Sequence, residues 1–403
     1  MKVLVVGSGG REHALAWALA RSSELTELHA APGNPGIAEL AACHPVRAGD
    51  PASLVPLAAE LGVDLVVVGP ELPLVAGLAD HLRHSGIAVF GPSAAAARIE
   101  GSKSFAKDVL DAAGVPTARA LALARAPCVV KADGLAAGKG VWVCRTQVEL
   151  DAALRAAEAL GQAFHVEELL EGEEVSLFAL CDGTAAVPLP AAQDYKRICD
   201  GDEGPNTGGM GSYSPVPRLP AAAADELVDE LCRPVLAELA RRGAPFTGAL
   251  FAGLMLTEDG PRVLEFNCRF GDPESQSLLP LLEGDLLPAL AAAAAGELRG
   301  VALEVSDRSA VTIVLAARDY PGRGDVGTPI AGIEEAEAAG ALVFHAGTAL
   351  HAGRLVTNGG RILGVTAVRD SLGEARAAAY DAAACVDFAG VRYRRDIASL
   401  AHA

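Results

Sequence analysis

Aromatic residues are scarce in this chain, at 4% of 403 residues, so its cores must be built from Val, Leu and Ala. Apolar residues make up 51%, which leaves ample material for burial and excludes disorder over any long stretch. Runs of Lys or Arg are also missing. With a formal net charge of -18, the surface repels phosphate backbones, and nucleic acid is not an expected partner. The eight cysteines, at 43, 128, 144, 181, 199, 232, 268 and 385, include no C-x-x-C spacing. Clustered zinc and a redox dithiol are thereby disfavoured, and reduced thiols of a cytoplasmic protein are the expectation. The nine histidines fall into no ligand spacing. No apolar run is long enough to span a bilayer, since the Ala-rich stretch at 289–295 is too short. Met1-Lys2 leads straight into Val3-Leu4-Val5-Val6-Gly7 without an export signal, so a soluble protein with no membrane partner is expected.

A chain of this length suggests two to four domains at about 150 residues each. The first hundred residues alternate apolar runs (Val3 to Val6, Leu65 to Val68, Ala88 to Phe90) with stretches of helical spacing at 11–21, 51–61 and 73–85. Each run ends in Gly or Gly-Pro. Buried parallel strands joined by crossover helices produce this pattern, and it predicts an open α/β sheet. From about 120 to 187 a Gly-rich turn joins two strands, Cys128-Val129-Val130-Lys131 and Val141-Trp142-Val143, followed by a helix at 148–160 and a strand at 163–167. Long loops, a helix at 221–242 and strands at 247–256 and 262–266 fill 188–305. The tail predicts strands near 310–316, 362–368 and 391–394 with helices between. The fold class is α/β and α+β, multidomain.

Gly7-Ser8-Gly9-Gly10 ends a strand and opens a helix, where free N–H groups and the helix dipole favour a phosphate. A dinucleotide fingerprint also needs Gly at position 12, which is Glu12, and an acidic residue ending the second strand, where Ala30-Ala31-Pro32-Gly33-Asn34 stands. A nicotinamide dehydrogenase is disfavoured accordingly. A small phosphorylated substrate, or a tight turn alone, remains open.

The second Gly-rich stretch, Lys131-Ala-Asp-Gly-Leu-Ala-Ala-Gly-Lys-Gly140, is no Walker loop. Three residues separate Gly134 from Gly138, and Gly140 stands where a metal-binding hydroxyl belongs. It predicts a hairpin tip suited to folding over nucleotide phosphates. Lys131 lies inside an apolar strand and needs an anionic partner, which a bound phosphate would supply unless the side chain snorkels to solvent. Lys103 stands at the start of a helix, and Val166-Glu167-Glu168-Leu169-Leu170 places carboxylates on an apolar strand, where they could meet adenine and ribose.

Val263-Leu264-Glu265-Phe266-Asn267-Cys268-Arg269-Phe270 alternates, which predicts Glu265, Asn267 and Arg269 on one strand face. Two oxygen ligands two residues apart suit Mg²⁺, which also takes water and phosphate oxygens. The guanidinium offers a planar fork to a phosphoryl or carboxylate group.

These elements, in this order, resemble the ATP-grasp superfamily. Within it the stretches GSGGREHA (from Gly7), APGNPG (from Ala31), GPELPL (from Gly69), KADGLAAGKGV (from Lys131), GPNTGGMG (from Gly204), EFNCRFGDPE (from Glu265), His345 to Thr348 and TNGGR (from Thr357) resemble the glycinamide ribonucleotide synthetase family across nearly the whole chain. The resemblance implies an N-terminal substrate-phosphate domain over 1–102, an ATP-grasp core lobe over 103–119 and 188–305, a lid lobe over 120–187 and a small α+β domain over 306–403. It implies ATP-dependent joining of glycine to 5-phosphoribosylamine through glycyl phosphate, within purine biosynthesis, by a monomer.

By the same resemblance Glu265 and Asn267 hold Mg²⁺ or Mn²⁺. ATP is held by Lys103, Lys131, Gly134, Gly138, Lys139, Gly140, Glu167, Glu168, Leu170 and Glu174. Gly9 and Gly10 face the ribose phosphate. Asp194, Lys196, Asn206, Thr207, Gly208, Gly209, Met210 and Arg269 form the acceptor site, with Asp194 on the glycine ammonium and Arg269, Lys131 and Asp194 as the catalytic set. The sequence departs from the pattern at Tyr195, where relatives carry His, and no proton transfer is assigned there. It is shortened over 118–127 and 157–165, and Leu250-Phe251-Ala252-Gly253-Leu254 lacks a second acidic ligand. Another ATP-grasp ligase or carboxylase, such as a biotin carboxylase, is the alternative, and a nucleotide sensor without catalysis is a third.

Overall fold

In the computed structural model of the protein, which describes residues 1–135 and 140–399, the early apolar runs form five parallel strands. Their spatial order is Ala42–Cys43, Glu27–Pro32, Lys2–Gly7, Leu65–Val68, Ala88–Phe90. Val3, Leu4, Val5 and Val6 are all wholly buried, as a strand covered on both faces requires. The chain winds outward from the central strand in both directions, so a crevice opens at the C-terminal ends of Lys2–Gly7 and Leu65–Val68.

Three antiparallel strands, Val141–Cys144, Cys128–Ala132 and Phe164–Glu168, form a small sheet. The helix Gln147–Ala159 covers it, started by a capping box between Thr146 and Glu149, and Leu150, Ala153 and Ala157 pack on Cys128, Val130 and Val166. The next strand, Glu173–Asp182, leaves this sheet and pairs along its length with Thr247–Thr257. The boundary expected at 187 is therefore not where the sheets divide.

The large sheet has eight strands in the order Gly260–Asn267, Thr247–Thr257, Glu173–Asp182, Ala186–Asp194, Gly211–Ser214, Ser309–Ala316, Arg361–Arg369, Leu342–His345. The tail strands thus continue the same hydrogen-bonded sheet through Gly211–Ser214. Near 391–394 only an isolated bridge from Arg392 to Ala316 forms, in place of the expected strand. Four strands lie where helices were expected: Asp325–Pro329, Leu342–His345, Thr348–His351 and Arg354–Gly359. The last two are half exposed and rich in polar residues, so neither periodicity stands out. No helix among the described residues is long and apolar enough to cross a membrane.

Candidate active site

The strand Gly260–Asn267 carries Glu265 opposite Gly253 of its neighbour. It ends at Asn267, two residues earlier than strict alternation through Arg269 predicts. Arg269 nevertheless joins the same face by folding back: its Nη2 donates to Asn267 Oδ1 at 3.2 Å and to Glu100 Oε1 at 3.1 Å. Glu71, from the first domain, approaches Nε at 3.5 Å. Glu100, Glu71 and Glu274 draw the charge of this enclosed guanidinium and hold its pKa above the usual arginine range against the effect of burial.

Lys131 is 7% exposed, and its anionic partner is a protein carboxylate. Glu167 lies on the adjacent strand, with its Oε2 2.7 Å from Lys131 Nζ and its Oε1 3.0 Å from Lys107 Nζ. Lys131 also donates to the carbonyl of Leu264 at 2.9 Å, which brings it beside Glu265. Burial pushes the Glu167 carboxyl up, but His165, Lys131 and Lys107 pull it down to about 2. Lys131 thus finds the anionic partner it needs within the protein, and the Glu167 carboxylate expected at adenine is not free. Two lysines and a histidine already occupy it. Glu168 turns to Arg119, 3.1 Å away. Leu170 follows the end of that strand and is half-buried.

Lys103 is the first residue of the helix Lys103–Ala113. Its N–H donates to Asp133 Oδ1 at 2.6 Å, and Ser104 Oγ donates to the other oxygen of the same carboxylate. Asp133 thereby ties the Gly-rich hairpin, at the residue before Gly134, to a helix N-terminus of the neighbouring unit. Gly140 accepts from Ala132 N at 2.8 Å at the other end of the hairpin. Gly138 and Lys139 lie outside the described residues.

Asp194 closes the strand Ala186–Asp194, and its carboxylate stands 3.5 Å from Lys196 Nζ. Lys196 also contacts Glu174, so a carboxylate expected at ATP is here the partner of the lysine. Burial, reinforced by Glu274 and Glu265 and opposed by Lys196, pushes the Asp194 carboxyl up to about 6. Lys196 is held above the ordinary lysine range: burial works against its charge, but Asp194, Glu174 and Glu265 outweigh it.

Asn206 ends a short strand paired with Arg197. Thr207 Oγ1 donates to Lys196 O at 2.7 Å and accepts from Gly209 N at 3.0 Å, so its hydroxyl holds the loop in shape. Gly208 N donates to Tyr320 Oη at 2.8 Å, and Gly208 O accepts from Arg361. Gly209 packs against Pro273. Met210 is corrected as a substrate contact. Its side chain is wholly buried with Ile198 and Ala316, and its N–H and C=O are engaged by Tyr195 and Val314.

In the crevice of the first sheet, Glu12 explains the missing third glycine. Its carboxylate accepts from Gly9 N and from Arg11 Nε, both at 2.6 Å, and a β-carbon on Gly7 or Gly69 would collide with it. Gly7 also has φ +132°, which side chains rarely adopt. The Gly9 N–H is thus already satisfied. A β-carbon on Gly10 would meet Gln276, so both glycines face the segment Asp272–Gln276. Asp272 is clamped there by Arg361, whose Nη2 lies 3.1 Å away.

Reading the sequence alone misses Glu71, Glu100, Lys107, Asp133, Tyr320 and Arg361. The available signal was the membership of Glu71, Asp133 and Arg361 in the stretches GPELPL, KADG and TNGGR and, for Glu100, its place just before Gly101-Ser102-Lys103; Lys107 and Tyr320 lie in none of these stretches. Tyr195, assigned no proton transfer, accepts from Ala398 N at 2.9 Å and lies under Arg394.

A hard cation suits this donor set. The Glu265 carboxylate, pushed up by enclosure, is held below the usual carboxylate range by Lys103, Lys196, Lys131 and Arg269. Among the described residues no hydrogen bond or ion pair engages it. Asn267 Oδ1 has a second lone pair beyond the one facing Arg269. An ionised carboxylate and an amide oxygen on one face leave the remaining positions to water and phosphate oxygens. No group of three His, Cys, Asp or Glu side chains among the described residues could hold a metal ion unaided.

The chain matches three family models, which together span most of its length. They are the phosphoribosylglycinamide synthetase N domain at residues 1–100, the ATP-grasp (A) domain at 101–275 and the C domain at 310–400. A phosphoribosylamine–glycine ligase of Streptomyces coelicolor is 52% identical over 417 residues, covering 100% of this chain and 99% of that protein. The crystal structure of the phosphoribosylamine–glycine ligase of Thermotoga maritima superposes with a TM-score of 0.85 at 34% identity, covering 98% of this chain and all of that one. The biotin carboxylase domain of the Hydrogenobacter thermophilus 2-oxoglutarate carboxylase superposes with a TM-score of 0.73 at 19% identity, over 97% of this chain and 91% of that one, which is a likeness of fold alone.

Proposed function

The chain belongs to the phosphoribosylglycinamide synthetase family, and from that premise we propose how its residues divide the work of an ATP-dependent C–N ligase. The reaction joins glycine to 5-phosphoribosylamine and yields glycinamide ribonucleotide, ADP and phosphate, a step of purine biosynthesis. The observation that carries the assignment of roles is the convergence on one strand. Lys131 reaches the carbonyl of Leu264, Glu265 follows it, and Asn267 and Arg269 share a hydrogen bond.

Phosphoryl transfer demands positioning and neutralisation of charge above all. Lys131, Lys103, Gly134 and Gly140 hold the ATP phosphates, and the same task is assigned to Gly138 and Lys139, which lie outside the described residues. Glu265 and Asn267 hold a magnesium or manganese ion, which supplies charge neutralisation at the transferred phosphoryl group. Glu168, Leu170 and Glu174 border the nucleotide, and Glu167 serves it indirectly by fixing Lys131. The glycine carboxylate attacks the γ-phosphorus, the bond to the β,γ-bridging oxygen breaks, and ADP leaves. The amine of 5-phosphoribosylamine then attacks the acyl carbon of glycyl phosphate and expels inorganic phosphate.

Asp194 takes the glycine ammonium, Arg269 orients the carboxylate, and Lys196 holds Asp194 in place. Asn206, Thr207, Gly208 and Gly209 shape the acceptor loop. Gly9 and Gly10, beside Asp272 and Gln276, border the ribose phosphate. Two unit charges ~4 Å apart interact by about 4 kcal/mol at an effective dielectric near 20, so losing one of these cations slows the reaction by orders of magnitude. A cytoplasmic monomer is the setting proposed.

A coupled assay of ADP release tests the function directly. Glycine with 5-phosphoribosylamine supports release, whereas bicarbonate with biotin does not. Glycine labelled with heavy oxygen passes one labelled oxygen to phosphate. Formation of AMP and pyrophosphate would overturn the acyl-phosphate route.

A further inference from the structure

We propose that Glu100 is a positioning residue of the phosphoryl-transfer site, acting through Arg269; this rests on the role given to Arg269 above. Glu100 lies one residue before the end of the helix Ala94–Gly101 and three before Lys103, which opens the next helix. Its carboxylate is 9% exposed and divides its oxygens between two neighbours. Oε2 accepts from Cys268 N at 2.8 Å, and Oε1 accepts from Arg269 Nη2 at 3.1 Å.

Cys268 stands between Asn267 and Arg269. One side chain therefore fixes the backbone immediately after the metal-ligand pair and the guanidinium beyond it. Glu71 does not duplicate this role. It approaches Arg269 Nε at 3.5 Å, yet that nitrogen has no hydrogen-bond partner.

The corner from Glu100 to Lys103 is short and stiff. Ser102 ends one helix and caps the next, its Oγ accepting from Phe105 N at 3.2 Å. The cation that opens the helix and the cation that follows the strand are thereby held at a set separation. Preorganised charge contributes most when it need not move during the reaction, and that is what this clamp secures.

A double-mutant cycle in the full-length enzyme tests the proposal. The variants are Glu100→Gln, Arg269→Ala and the pair, with kcat for ADP formation, KM for ATP and thermal unfolding measured for each. Glu100→Gln lowers kcat roughly 10- to 100-fold, the range typical of partners that orient catalytic ligands, and shifts KM for ATP far less. In the Arg269→Ala background the same change costs clearly less than in the parent enzyme, because the guanidinium it orients is gone and only its hold on Cys268 N remains. Equal losses in both backgrounds, or a wild-type kcat for Glu100→Gln, overturn the proposal. A wild-type rate for Arg269→Ala overturns the role of Arg269 itself, and this proposal with it. Should Glu100→Gln not fold, Glu100→Asp, which keeps the charge and withdraws it by one methylene, is read in the same cycle.

Discussion

Lys131 and Glu167 meet at 2.7 Å across neighbouring strands of the small sheet, and Lys107 from outside that sheet touches the same carboxylate at 3.0 Å. Lys107 also donates to Thr117 Oγ1 at 2.8 Å, and Thr117 Oγ1 donates to Val263 O at 2.7 Å. The small sheet is in this way joined, through charge and then hydrogen bonds, to the strand that bears Glu265.

Removing the shared acid leaves two ammonium groups facing each other. Glu167→Ala is expected to destabilise the chain by roughly 3–5 kcal/mol, the usual cost of breaking a buried pair from one side. Lys131→Met removes one of the two cations and is expected to cost less. Urea unfolding of the two variants, compared with the parent chain, checks the order.

The Glu167 carboxyl also sets an acid limit on stability. Its folded pKa, about 2, lies below the ordinary 4.5, so the native state favours the ionised form. The contribution is complete above about pH 4.5 and is lost as the pH falls toward 2. A melting series from pH 5 to pH 2.5 should show a smaller drop in Glu167→Gln than in the parent.

Asp194 titrates in the opposite direction, with a folded pKa of about 6 against an ordinary 3.8. Its protonated form is favoured in the fold, so stability from this group is present below pH 3.8 and is lost as the pH rises through 6. For catalysis the sign reverses, because the glycine ammonium needs the carboxylate. kcat/KM for glycine should fall as the pH drops below about 6, and kcat/KM for ATP should fall less. Asp194→Asn should have a low and pH-independent kcat/KM for glycine over the same range.

Chelation of divalent cations is expected to stop ADP formation, and Glu265→Ala is expected to lower kcat/KM for ATP roughly 100-fold or more. The unfolding midpoint of the variant should stay close to that of the parent, since no ion pair engages Glu265 among the described residues. Titration with Mn²⁺ followed by electron paramagnetic resonance should show weaker binding in the variant.

Arg361 holds both Asp272 and the loop at Gly208. Arg361→Ala should raise KM for 5-phosphoribosylamine more than KM for ATP and lower the melting temperature, because Asp272 loses its cation. Tyr320→Phe removes one acceptor from Gly208 N and should cost only about 1 kcal/mol. Met210→Leu should leave the rate nearly intact, since the side chain only fills core volume.

Much of this protein is legible in one dimension. The apolar runs at 3–6, 65–68 and 88–90 predict parallel strands, and the strands Lys2–Gly7, Leu65–Val68 and Ala88–Phe90 are there, because a buried backbone segment needs apolar residues on both faces. The alternation around Glu265 and Asn267 likewise places both on one face. It overruns at Arg269, where the strand has ended and a long side chain does the reaching. The tail strands at 348–351 and 354–359 escape notice because half-exposed polar strands carry little periodic signal.

Local pattern, then, determined the buried strands of the first sheet and many of the helices, which glycines mark turns, and which acids and cations are chemically suited to nucleotide and metal. Only the tertiary structure decided which charges neutralise which. Glu100 and Arg269 are 169 positions apart, Glu167 and Lys131 are 36 apart on strands that must first pair, and Glu12 fills space that three separate glycines vacate. Backbone preference and face are properties of neighbouring residues and can be read along the chain. The energy of a buried charge depends on what stands within a few ångströms in space, and that is settled only when distant segments have packed.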